Sequence, residues 1–173
     1  MGGNVWERWR IWTVARRRAP WVHKEVTEGE WAGWKIWSSD PFELYAGPFY
    51  ARADEGGQMV CAFRAERRHM NGGGFMHGGC LMTFADYAIF AIGGEALDGV
   101  GSVTASMNCE FIDGAREGEM IEARGEVVRN GGSLVFLRGQ VTTGERTLLN
   151  FSAIIKKVRR RDYPHTPSSV VSQ

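Results

Sequence analysis

The segment 80–92, CLMTFADYAIFAI, constrains the fold more than any other part of this chain. It is almost wholly apolar and carries one ionisable group, Asp86. At 13 residues it falls well short of the ~20 needed to span a bilayer. A helix without a polar face has to be surrounded by protein. The rest of the chain must therefore supply a wrapper.

The flanking sequence reads as that wrapper. Residues 48–54 and 58–66 form two strand candidates joined at Glu55-Gly56-Gly57, a hairpin turn. Four extended runs follow the apolar segment, at 102–112, 118–128, 133–142 and 146–158. In the first, Val103, Ala105, Met107, Cys109 and Phe111 share one face, and Ser102, Thr104, Ser106, Asn108 and Glu110 the other. In the second, Ile121, Ala123, Gly125 and Val127 alternate with Glu122, Arg124 and Glu126. Turns at Asn130-Gly131-Gly132 and Thr143-Gly144-Glu145 make the later runs antiparallel hairpins. Two strands, one buried helix and four strands predict an α+β domain. One curved antiparallel sheet of five to six strands wraps a single long central helix.

The full length of 173 residues suits one domain with a real core. We expect a Trp-rich extension over 1–40, partly helical, a domain over 41–158, and a flexible polar tail over 159–173. All seven tryptophans lie in the first 37 residues, and Trp6, Trp9 and Trp12 at i, i+3, i+6 fit one helix face. With the basic run 16–18, this extension reads as membrane-surface attachment, as a lid over a ligand, or as packing on the domain or a partner subunit. Its removal, through residue 38, is expected to leave the domain folded. A net charge of +1 creates no field that demands nucleic acid. Stable membrane insertion is not expected either. The three cysteines, Cys61, Cys80 and Cys109, lack CxxC spacing. They read as small core residues in a reducing, cytoplasmic setting, without disulfides or a metal site.

Chemistry concentrates between Asn71 and Asp86, in NGGGFMHGGCLMTFAD. Glycines at 72, 73, 74, 78 and 79 let backbone N–H groups approach a ligand closely. The first N–H groups of a helix are unpaired and partly positive, which suits a developing oxyanion. Asp86 sits about two turns inside the helix, so it is not a cap. A buried carboxylate costs several kcal/mol unless it is paired, hydrogen-bonded or protonated. It is then either reactive or bonded to Thr83 or to a strand.

Asn71, His77-Gly78-Gly79, Asp86 within FADYA, and the strand VTASMNCEF from Val103 carry a resemblance. Over residues 41–158 the chain resembles the hotdog fold, specifically the small acyl-CoA thioesterases of the phenylacetate-pathway and 4-hydroxybenzoyl-CoA type. The resemblance implies hydrolysis of acyl-CoA to free acid and CoA. Asp86 would be general base or nucleophile, and the Gly78 N–H would polarise the thioester carbonyl. Asn71 would place the carbonyl or the water, and Thr104 would position the water. His77, Gly79 and Phe111 would lie against substrate. So would the hairpin Arg129, Asn130, Gly131, Gly132, Ser133 and Leu134, which resembles the family's lining of the nucleotide and pantetheine. No cofactor is implied, since coenzyme A is part of the substrate. The partner implied is a second copy, in a homodimer or homotetramer with the site at the subunit interface. Two alternatives stay open: a hotdog hydratase or dehydratase using His77, and a non-catalytic acyl-CoA sensor.

Overall fold

The apolar segment becomes α2, Gly78–Ile92, in a computed structural model that describes residues 23–97 and 100–158. Its start lies two residues earlier than the apolar run suggests, because His77 caps it. The His77 backbone is extended (φ −66°, ψ 132°), and its Nδ1 accepts from the Gly79 N–H at 2.9 Å. Leu81, Phe84, Ala85, Tyr87, Ala88, Ile89 and Ala91 are buried around the helix. Gly93 ends it, and a single turn, α3 (Gly94–Leu97), follows. No helix among the described residues is long and apolar enough to cross a membrane.

The six expected strands all form. They are β3 (Tyr50–Ala53), β4 (Met59–Arg64), β5 (Ser102–Phe111), β6 (Met120–Asn130), β7 (Leu134–Thr143) and β8 (Arg146–Lys157). Two more join them, β1 (His23–Glu25) and β2 (Lys35–Trp37), so the sheet has eight strands rather than five to six. Its order is β1-β2-β3-β4-β6-β7-β8-β5, with every neighbouring pair antiparallel. This is the hotdog arrangement, one curved sheet around one helix.

Part of the Trp-rich segment thus belongs to the sheet. Trp37 enters the main core against Tyr87, ring centroids 4.6 Å apart. Trp34 covers Val60 and Ala62 on the opposite face, which explains why four consecutive residues of β4 are buried. Trp31 stacks on Tyr50 at 4.2 Å, and the Arg52 guanidinium lies 4.3 Å from the Trp34 ring. The helix expected around Trp6, Trp9 and Trp12, the basic run 16–18 and the tail 159–173 fall outside the described residues.

The sheet's closure on α2 depends on a facing glycine pair, Gly125 in β6 and Gly139 in β7. A Cβ at Gly125 would run into the Arg138 carbonyl and sit 3.2 Å from Ile92 Cδ1. A Cβ at Gly139 would strike the Arg124 carbonyl and the Phe151 ring. Between β2 and β3 lies α1, Pro41–Ala46, capped by Asp40, whose Oδ1 accepts from the Glu43 N–H at 3.0 Å. It packs against α2.

Candidate active site

Asp86 is half-buried on α2, and its partner is not Thr83. Thr83 Oγ1 instead donates to its own helix, to the Gly79 carbonyl at 2.9 Å. Thr104 Oγ1, on β5, donates to Asp86 Oδ1 at 2.6 Å. Strict alternation would put Thr104 on the face away from Met107, Cys109 and Phe111. The structure corrects this. A bulge lies between Thr104 and Ser106, where Thr104 pairs with Ile155 and Ser106 with Ile154. Ala105 is the extra residue, and it slips the pattern by one. Thr104 therefore shares the helix-facing side with Met107, Cys109 and Phe111, as their paired residues Ile155, Ala153, Phe151 and Leu149 are all buried.

The helix start carries the second half of the site. The Cys80 and Leu81 N–H groups donate to the His77 carbonyl, and the Gly79 N–H donates to His77 Nδ1. The Gly78 N–H has no protein acceptor among the described residues. It is thus the free donor of the helix terminus, where partial positive charge collects. Phe111 lies directly over it: a Cβ at residue 78 would come within 3.1 Å of the ring, so only glycine leaves the ring in place. His77 braces the helix start, and Gly79, bound to it, is not a free donor. His69 is buried, and its carbonyl accepts from the His77 N–H at 2.8 Å, steadying the same turn.

Asn71 shapes the glycine loop. Its Oδ1 accepts from the Gly73 N–H at 2.8 Å and from the Phe75 N–H at 3.3 Å, and its own N–H donates to the Phe75 carbonyl at 2.7 Å. The carboxamide oxygen is therefore committed to the loop, while the Nδ2 hydrogens meet no protein acceptor among the described residues.

These residues form two groups within one chain. His77, Gly78, Gly79 and Phe111 gather at the start of α2, and Asn71 holds the glycine loop that leads into it. Asp86 and Thr104 meet farther on, eight residues past Gly78. At ~1.5 Å rise per residue the free N–H and the carboxylate are roughly 12 Å apart along the helix. The hairpin Arg129, Asn130, Gly131, Gly132, Ser133 and Leu134 lies near the second group. Thr104 pairs with Ile155, and Ile155 with Val135, so the turn starts about two strand spacings, roughly 10 Å, from Thr104. Lys157 holds this turn, its Nζ donating to Asn130 Oδ1 at 2.8 Å and to the Gly131 carbonyl at 3.4 Å.

The electrostatics add a residue that sequence reasoning passed over. Burial, then the charges of Asp40 and Asp86, push the Glu43 carboxyl up to about 8. Asp40-Pro41-Phe42-Glu43 reads as an ordinary capped helix start with a solvated acid, so no sequence signal marks it. All three cysteines are free thiols. Burial raises each of them, and Cys109 also feels Asp86. None is poised as a nucleophile.

Comparison with known proteins agrees with this fold. A family model described as Thioesterase superfamily matches residues 73–150. The curated Pseudomonas aeruginosa protein named "Putative esterase PA0474" is 31% identical over 120 residues, spanning 69% of this chain and 90% of its own length. Among solved structures, a hypothetical thioesterase with coenzyme A from Streptococcus pneumoniae TIGR4 aligns at TM-score 0.60 and 18% identity, over 67% of this chain and 91% of that one. The E. coli PaaI protein of the phenylacetic acid degradation operon aligns at TM-score 0.59 and 18% identity, over 69% and 85%. At such identities the two structures speak for the fold alone.

Proposed function

The chain belongs to the thioesterase superfamily, and on that premise we propose that it hydrolyses acyl-CoA thioesters to the free acid and CoA. The observation that carries this reading is the 2.6 Å hydrogen bond from Thr104 to Asp86, on a helix whose first N–H is free. The hydroxyl holds Oδ1 and leaves Oδ2 for chemistry. In one route Asp86 takes a proton from water while the water oxygen bonds to the thioester carbon. In the other, Asp86 attacks directly and water cleaves the resulting anhydride. In both, the C–S electron pair leaves on sulfur, which ends protonated as CoA. The carbonyl oxygen, negative at the tetrahedral stage, is stabilised by the Gly78 N–H. The Asn71 Nδ2 hydrogens supply a second donor. No metal is invoked, because a thiolate leaves readily.

A carbonyl held by Gly78 is out of reach of the same chain's Asp86 at roughly 12 Å. The reading therefore requires two copies, Gly78 and Asn71 from one facing Asp86 and Thr104 from the other. A homodimer is the minimum unit, and two dimers would make a tetramer. In this assembly the hairpin at Arg129 and the amine of Lys157 are cationic and backbone partners for the CoA phosphates. The hydratase alternative loses support, because a ring nitrogen of His77 is occupied by the Gly79 N–H.

Thiol release, read with a chromogenic thiol reagent across aryl- and fatty-acyl-CoAs, tests the reading. Wild type should turn over at least one class, and Asp86→Asn should lose ~10²–10⁴ of that rate with its fold intact. Tight acyl-CoA binding without hydrolysis would favour the sensor reading instead.

A further inference from the structure

Helix α1 is packed inside out. A surface helix ordinarily buries its apolar residues and shows its charges. Here Phe42 is 63% and Tyr45 81% exposed, while the Glu43 side chain turns into the protein. Its Oε2 is fully buried and finds no hydrogen-bond partner among the described residues. The groups coupled to it electrostatically are Asp40 from its own helix start, Asp86 and Tyr87 from α2, and Cys61 from β4. None of them is cationic. Arg68 bonds the carbonyls of Tyr45 and Gly47, pinning the far end of α1, and forms its ion pair with Glu66.

A buried carboxylate without a partner costs several kcal/mol, and a second acid beside it adds repulsion. A neutral carboxyl in the same place costs far less. Local rules broken next to a reactive group point to function. We propose that Glu43 is a positioning residue of the Asp86 site: uncharged, it lets α1 lie over α2 beside Asp86, and loss of its proton drives α1 off and lowers turnover.

The ionisation range agrees with this role. Burial and the neighbouring acids hold Glu43 at about 8, so it keeps its proton at neutral pH. Burial holds the Tyr87 hydroxyl and the Cys61 thiol well above their usual ranges, so neither ionises in the same interval. The folded chain binds a proton at Glu43 that the unfolded chain releases between 4.5 and about 8. Its contribution to stability is therefore complete below 4.5, declines as pH rises to about 8, and is level above that.

The activity arm of the test rests on the hydrolase reading, and the stability arm does not. Wild type, Glu43→Gln and Glu43→Leu are assayed for kcat/KM from acid to alkaline pH, and their thermal midpoints are measured over the same range. Wild type should lose about tenfold in kcat/KM between pH 7 and pH 9, as expected for one group titrating near 8. Both neutral variants should hold most of their neutral-pH rate throughout. The wild-type midpoint should fall relative to Glu43→Gln as pH rises toward 8, then run parallel to it. The same alkaline loss in Glu43→Gln, or midpoints parallel at every pH, would overturn the proposal. Activity kept by Gln and abolished by Leu would also overturn it, in favour of direct contact with substrate. A pH-dependent midpoint difference without hydrolysis by any variant would support the role of Glu43 and refute the hydrolase reading.

Discussion

If the site is shared between two copies, two dead proteins can make a live one. The first lesion is Asp86→Asn, which removes the carboxylate that Thr104 holds at 2.6 Å. The second must delete the Gly78 N–H without disturbing the helix, and proline does this. Gly78 is the first helical residue, where proline is favoured, and its N–H serves no protein acceptor among the described residues. His77, at ψ 132°, already has the extended backbone required before a proline. The added ring atoms crowd Phe111, which is 54% exposed and free to swing outward. Alone, Asp86→Asn should lose ~10²–10⁴ in rate and Gly78→Pro ~10²–10³. In a mixed dimer one site receives both lesions and the other receives neither. Co-expression with two tags, purification through both and thiol-release kinetics should therefore recover about half the wild-type rate per dimer. Mixed dimers no faster than the single variants would refute the shared site. The roughly 12 Å between donor and acid in one chain would then need another explanation.

Two further outcomes follow from particular contacts. Thr104→Val keeps shape but removes a hydrogen bond to an ionised group, an interaction worth ~1.5–3 kcal/mol, so kcat should fall roughly 10–100-fold with KM little changed; an unaltered kcat would make Thr104 a strand residue only. Removing residues 1–38, which the sequence reading expected to be harmless, takes β1, β2, Trp34 and Trp37 from the sheet. Loss of a buried Trp alone costs ~3–5 kcal/mol, so the truncated protein should aggregate or melt far below full length, and an unchanged melting midpoint would show that Trp37 is dispensable.

The two short strands that this truncation removes mark where sequence legibility ends. The six longer strands and α2 are written in periodicity, which survives without tertiary context. His23–Glu25 and Lys35–Trp37 are three residues each, too short to establish a period, and they exist because Trp34 and Trp37 find partners on opposite faces of the sheet. The bulge at Ala105 was equally hidden. In Thr104-Ala105-Ser106 every residue is small, so an added residue leaves no break in the pattern. Alternation therefore puts Thr104 on the wrong face, whereas the bulge turns its hydroxyl to Asp86. Glu43 was invisible for a third reason, since its surroundings come from α2 and β4 rather than from its own neighbours.

The feature that most limits mechanism was nonetheless in plain sight. Gly78 and Asp86 are eight residues apart on one apolar helix, and helix geometry turns that count into roughly 12 Å. A carbonyl group and the water attacking it fit within ~3 Å. No rotamer of Asp86 closes the remaining gap, and bending α2 would break the packing of Phe84, Ala85 and Ala88, which are fully buried within the sheet. The surrounding sheet thus keeps the helix straight, and a straight helix keeps donor and acid apart. A site that uses both would have to be completed from outside the chain, and a second copy, carrying the same two groups in the same spacing, would complete two sites at once.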